Sequence, residues 1–266
     1  MNNYPNIAAE ECIVGKNTII DPSANIRGLN GKAKRIVIGD NCYIGQNVQI
    51  ICDDFKMGDY SKIQHHCNIH GYKPCHIGHN LWIGQYSIID SIGGTTIGNN
   101  CGIGAHSQLW SHIKYGDTLE GCRFLSEAPL KFGHDVWMVG HCIVSPIVAA
   151  DKSMALVGAV VTKDMAYNQI YSGVPAKSIS NKIGNQFQDV SLDDKFAKMQ
   201  EYLKEYKAIT TIDTSHLLVI MSQSEIKDDE RTYFVINDRT YTKRQTDVEI
   251  GFMKFLLPSK AKFVPM

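Results

Sequence analysis

The sequence has no apolar run approaching the roughly 18 residues of a membrane-spanning helix, so no helical span is expected. Neither charge is in excess: 27 lysines and arginines face 27 aspartates and glutamates, and no basic residues cluster. Nucleic acid and anionic membrane surfaces are therefore not expected as partners, and binding must be local and shaped. The opening stretch MNNYPNIAAEE lacks a charged segment followed by an apolar one, so a cytoplasmic location is the expectation.

What is present is a beat of six. Phe132, Met138 and Val144, then Ala149, Ala155 and Val161, are apolar residues set six apart among small or polar ones, with one five-residue step. That beat suits neither an α-helix nor a plain strand. It begins with Val14, Ile20 and Ile26 and resumes at Ile38, Ile44 and Ile50. Met57, Ile63 and Ile69 follow, then Ile77, Ile83 and Ile89, then Ile97, Ile103 and Leu109. A chain that turns one apolar residue inward every six positions, with a Gly, Asn or Asp corner between, wraps as short flat strands around a triangular prism. Three sides make a coil, and coils stack as parallel strands roughly 4.8 Å apart. IGDN, IGHN and IGNN mark corners where Gly and Asn accept left-handed backbone angles. The expected architecture is an all-β parallel β-helix over residues 14–183, after a lead-in of residues 1–13.

Eight cysteines suggest a disulfide or metal framework, but Cys42, Cys67, Cys75, Cys101 and Cys142 each sit two residues before a ladder residue. Val48, Ser61, Ser87, Thr95, Ser107 and Val136 fill that slot elsewhere, so it takes small side chains and packed free thiols are expected.

After Leu109 the beat stops until Phe132, so residues 110–131 must leave the prism as a loop. Loops of this length inside a regular solenoid are uncommon and often functional. This one carries His112, Asp117, Glu120, Arg123 and Glu127; a merely solvated polar excursion is the competing reading. The prism ends at GVPAK, Gly173 to Lys177, and residues 184–266 read as a small α+β appendage. In it, SLDDKFAKMQEYLKEYKAI is an amphipathic helix opened by Ser191 and Asp194, with an apolar stripe through Leu192, Phe196, Met199, Leu203 and Tyr206. HLLVIM, TYFVI and DVEIGFMKFLL read as strand-like, with a turn signal at Asn237–Asp238, and no recognisable chemistry.

The ladder over residues 14 to 170, the excursion with its histidine, VWMVG, VVTKD and GVPAK together resemble the hexapeptide-repeat acyltransferases, especially the branch that acetylates sugars, maltose, galactosides and some antibiotics. The resemblance implies a left-handed β-helix, a homotrimer of parallel prisms, acetyl coenzyme A as donor, a carbohydrate acceptor such as a cell-surface polysaccharide or its precursor, and active sites between neighbouring subunits. No metal is implied. Three departures touch the coils that would hold the donor: Val139 replaces a usual Gly, the Gly after Pro146 is missing, and Ala149 and Ala155 replace bulkier ladder residues.

Direct acetyl transfer needs a base for the acceptor hydroxyl and donors for the oxyanion. The resemblance places the base at His112 in QLWSHIKYGD, with a shorter spacer than in galactoside and maltose enzymes. Asp117 or Glu120 would orient the imidazole. Gly140 is the candidate oxyanion donor through its backbone N–H. Trp137 would flank the pantetheine arm, Gly158 and Ala159 would offer backbone contacts, and Lys163 and Lys177 would meet phosphates. Trp137 is equally placed to be a packing residue and Lys163 a solvated corner. One rival lies in IQHHCNIHG, where His65 and His70 have the spacing of zinc ligands in γ-class carbonic anhydrases; the third histidine is missing, and Ile51 stands at its place beside Cys52. IQHHC also resembles the segment bearing the catalytic histidine of prism-fold sugar N-acetyltransferases, which would make His65 or His66 the base and an amino sugar the acceptor. A non-catalytic prism scaffold is the remaining alternative.

Overall fold

The computed structural model describes residues 4–266 and divides after Phe187 into two units, each described by itself. In the first unit strands come in threes. Ala33–Ile38, Tyr43–Ile44 and Gln49–Cys52 form one coil, Asp54–Met57, Lys62–Ile63 and Asn68–Gly71 the next. Corresponding strands stack in parallel and build the three faces of a left-handed prism.

The observed register is the sequence beat. Ile38, Met57, Ile77, Ile97, Phe132 and Ala149 are paired down the first face. Ile44, Ile63, Ile83, Ile103, Met138 and Ala155 follow one another down the second. Ile50, Ile69, Ile89, Leu109, Val144 and Val161 do so down the third. All eighteen side chains are buried, forming one continuous core. Because the strands from Tyr43–Ile44 onward are only two to four residues long, side-chain stacking between coils carries the register. Ile103 is 0% exposed in the middle of its stack. Ile103→Ala should therefore destabilise the prism by about 2–5 kcal/mol through lost burial and a cavity, measured as a lowered denaturation midpoint.

The prism starts earlier than the lead-in boundary suggests. The strand Ile7–Val14 pairs along Ala33–Ile38 from Ala9 to Val14, and through Ile7 and Ala8 with Asn25–Arg27. Residues 1–3 lie outside the described residues. At the corners, the left-handed angle belongs to the asparagine and not the glycine: Asn41, Asn80 and Asn100 have φ of 56°, 59° and 65°. Gly39 is needed for space, because a Cβ there would lie 2.4 Å from Oδ1 of Asp59 in the next coil. At the far end, Met165 is buried and bridged to Ala149, so a larger residue joins the core where the ladder carries only alanine.

All eight cysteines are free, and those in the ladder slot are buried. The thiols of Cys42 and Cys67 donate to the carbonyls of Gly58 and Gly84 in the following coil at 3.2 and 3.1 Å. Burial pushes the Cys42 thiol up to about 12 and that of Cys67 up to about 11, which suits packing and not thiolate chemistry.

The second unit contains the expected helix, Leu192–Ile209, with the Ser191 hydroxyl accepting from the Asp194 N–H. Met199, Leu203 and Tyr206 of its stripe are buried, whereas Leu192 is exposed. Leu217–Ile220, Thr232–Val235, Thr240–Tyr241 and Val264–Pro265 form a mixed four-stranded sheet. The Asn237–Asp238 turn joins the antiparallel pair, with Arg239 taking the left-handed angle. DVEIGFMKFLL is not a strand: Asp247–Leu256 is a helix. Thr246 caps it by accepting from Glu249 N, while the buried Glu249 carboxylate accepts from the N–H groups of Arg244 and Gln245. Val248, Ile250, Phe252, Met253 and Leu256 are its buried apolar positions. That spacing covers a helix face; the apolar content alone gave a strand-like impression.

Candidate active site

The third face ends, coil after coil, in a residue just past the ladder position. Stacking of Ile89 on Leu109 puts Asp90 beside Trp110, immediately before Ser111 and His112 at the corner where the excursion leaves. Gly93 makes room for this exit: a Cβ on it would lie 2.1 Å from the Ser111 carbonyl oxygen and 2.6 Å from that of Ala128, the two ends of the excursion.

Asp90 is the hub. Its carboxylate is wholly buried, and Oδ2 accepts from Ser111 N at 2.9 Å, Ser111 Oγ at 2.6 Å and His112 Nδ1 at 2.8 Å. Ile92 N–H reaches Oδ1 at 3.4 Å, and the Asp90 backbone carbonyl accepts from Thr95 Oγ1 at 2.6 Å. Ser111 Oγ in turn accepts from Gly93 N–H at 2.9 Å. A carboxylate only accepts, so Nδ1 of His112 carries the proton and Nε2 presents a lone pair. The imidazole is 19% exposed, with the edge of Trp110 against it at a centroid distance of 6.0 Å. The arrangement can accept a proton at Nε2, with the ring fixed in place by the buried Asp90 carboxylate behind it.

The orienting carboxylate is therefore Asp90, and neither Asp117 nor Glu120 touches His112. Asp117 Oδ1 accepts from the N–H groups of Leu119 and Glu120, closing the exposed tip of the excursion. Ile113–Lys114 and Leu125–Ser126 pair as a short hairpin, which carries that tip away from the corner. The hairpin is clasped by Lys114 and Glu127, and hydrogen bonding to Lys114 holds the Glu127 carboxyl below the usual carboxylate range, with Lys73 and His112 adding to it. Reasoning along the loop missed Asp90 because its contact with His112 crosses coils. A partial signal was present: Asp90 directly follows the ladder residue Ile89, which stacks on Leu109, three residues before His112.

The donor candidates divide between two parts of the prism. Trp137 lies on the second face, 44% exposed, with its indole against the backbone of Gly102. Gly140 and Gly158 stack at the corner between the second and third faces, with φ of 150° and 72°. The Gly158 N–H donates to the Gly140 carbonyl at 3.0 Å and Ala159 N–H to Leu156 at 3.2 Å, so those two N–H groups are already used within the chain. Lys177 is exposed on the antiparallel strand Lys177–Ser178 at the end of the second face. Lys163 is exposed beyond Val161, at the same corner as His112. The single chain thus brings His112 to Asp90 and Ser111, but not to Trp137 or Gly140.

His65 and His66 sit at the other end of the third face. His66, Tyr86, His106 and His141 stack ring on ring up that corner, with centroids 4.9–5.1 Å apart, and His65 meets His66 and Tyr86 edge-on. Among the described residues, no carboxylate is paired with either histidine. His70 lies at the opposite strand end from His65 and faces Asp90, with Ile51 beside it in register. Among the described residues, no group of three or more His, Cys, Asp or Glu is placed to hold a metal ion.

Three-sided coils, the six-residue ladder and an excursion between the fifth and sixth coils define a left-handed β-helix built of hexapeptide repeats. No family model matches it. The chain is 32% identical over 113 residues to the bifunctional protein GlmU of Anaplasma marginale (strain Florida), covering 41% of this chain and 24% of that protein. It is 27% identical over 141 residues to the galactoside O-acetyltransferase of Escherichia coli (strain K12), covering 52% and 63%. The chain thus spans less than two thirds of the length of the curated relatives it matches. Among solved structures, the polySia specific acetyltransferase NeuO has the same fold, with a TM-score of 0.50 at 18% identity over 74% of this chain and 95% of that one.

Proposed function

We propose that this protein moves an acetyl group from acetyl coenzyme A directly to a hydroxyl of a carbohydrate acceptor, a cell-surface polysaccharide or its precursor, with His112 as general base. The observation that carries the proposal is the 2.8 Å contact between His112 Nδ1 and the buried Asp90 carboxylate at the root of the excursion. Similarity to a galactoside O-acetyltransferase supports the choice of a sugar hydroxyl. His112 Nε2 takes the hydroxyl proton as the oxygen attacks the thioester carbonyl. The tetrahedral oxyanion is met by a backbone N–H, for which Gly140 is the candidate. The C–S bond then breaks and the proton on Nε2 passes to the departing thiolate, leaving an O-acetyl ester, free coenzyme A thiol and a neutral imidazole.

On this reading Trp137 flanks the pantetheine arm, and the exposed Lys163 and Lys177 meet the donor's phosphates. Gly158 and Ala159, their N–H groups spent, contribute surface and carbonyl groups. No resident metal takes part. Eight free thiols fit the reducing cytoplasm. Because His112 lies apart from Trp137, Gly140, Gly158 and Lys177 on one prism, the working form is a homotrimer in which the His112 corner of one chain meets the second face of its neighbour. Light scattering should give a trimer mass, and a fully active monomer would overturn the shared site. The function itself is tested by calorimetry with acetyl coenzyme A, followed by thiol release over free sugars, nucleotide-sugars and amino sugars. Acceptor-dependent thiol release is expected; a chain that binds no acetyl coenzyme A would be a scaffold.

A further inference from the structure

Asp90 faces two imidazoles. On one side Oδ2 is held by three short hydrogen bonds, from Ser111 N, Ser111 Oγ and His112 Nδ1. On the other, Oδ1 has only the 3.4 Å contact from Ile92 N–H and the ring of His70, whose Nε2 lies 3.6 Å away. His70 comes from the coil above, in register with Asp90, and its neighbour on the other side is the aliphatic Ile51. Its Nδ1 is buried and makes no hydrogen bond. A buried polar atom without a partner is destabilising, and an apolar side chain would suit the site beside Ile51 better. The imidazole is thus retained at a cost to the fold, against the one carboxylate oxygen that has slack.

We propose that His70 is a positioning residue for the Asp90–His112 pair. Its Nε2–H faces Oδ1 and resists rotation of the Asp90 carboxylate, so that Oδ2 stays directed at Ser111 and His112. Neither ring nitrogen of His70 is free for an acceptor, one facing Asp90 and the other buried, so it acts through Asp90 and not on substrate. This inference rests on the reading of His112 as the base.

The test compares His70→Phe, which fills the space without a donor, with His70→Gln, which keeps one. His70→Phe should lower kcat about tenfold while leaving the KM for acetyl coenzyme A unchanged, and should raise Tm by about 2–4 °C by removing the orphaned nitrogen. His70→Gln should recover most of kcat. Nitrogen-15 NMR of the histidine rings, recorded without substrate, should show His112 protonated on Nδ1 in the wild type, a mixture of tautomers in His70→Phe, and the wild-type tautomer again in His70→Gln. This spectrum tests the positioning even if no acetyl transfer is found, so failure of the transferase reading and failure of this one are distinguishable. A His112 tautomer unchanged in His70→Phe would overturn the proposal, as would a lowered Tm with kcat not recovered by glutamine.

Discussion

His112→Ala should lower kcat by about 10²- to 10⁴-fold while acetyl coenzyme A binds nearly as tightly as to the wild type. The size follows from what is lost: without a base, the acceptor hydroxyl must attack the thioester while still holding its proton. The sparing of donor affinity follows from the proposed role, because the imidazole fixed by Asp90 meets the acceptor hydroxyl and not the donor's phosphates. Steady-state kinetics with calorimetry separates the two quantities. His65→Ala is the control. It removes only an edge-on ring at the opposite end of the third face and should leave kcat close to wild type.

Asp90→Asn should be almost as damaging, on the order of 10²- to 10⁴-fold in kcat, by analogy with other carboxylates that orient a catalytic imidazole. An asparagine has one accepting atom and one donating group where Asp90 has two acceptors. If the carbonyl oxygen takes the place of Oδ2, Ser111 and His112 keep their bonds, but the imidazolium loses its counter-charge. If the amide nitrogen goes there, it confronts the Ser111 N–H and drives the proton of His112 onto Nε2, which destroys the base. Asp117→Asn and Glu120→Gln should leave kcat near wild type, since both residues act only within the exposed tip of the loop. The same assays on all three variants decide which carboxylate serves His112.

The prism could be read from the sequence because its determinants are local and repeated. One apolar residue in six, from Ile38 to Val161, defines where each strand points, and stacking then defines its neighbours. His112 drew notice for a related reason: a histidine three residues past the last ladder position before an interruption stands out. Its partner was harder to see. Asp90 reaches His112 from the preceding coil, so no local spacing shows the contact, and the loop offered nearer acidic residues that the hairpin carries away. The helix Asp247–Leu256 was missed where the ladder gives no guide. There, a dense apolar run is ambiguous between helix and strand until the Thr246 cap and the buried Glu249 are recognised. The division of the donor candidates between faces is likewise invisible in one dimension, because neighbours in sequence are distributed around three sides.

Direct acetylation of a hydroxyl by a base held on Asp90 leaves its mark in the bond formed in the product. After incubation with acetyl coenzyme A and a carbohydrate offering both hydroxyl and amino groups, the acetylated acceptor is treated with alkaline hydroxylamine and weighed by mass spectrometry. One free thiol should be released per acetyl transferred and hydroxylamine should remove the acetyl group, as it does from an ester, with the product all but absent for His112→Ala. A hydroxylamine-stable amide, formed undiminished by His112→Ala and lost in His65→Ala or His66→Ala, would contradict it.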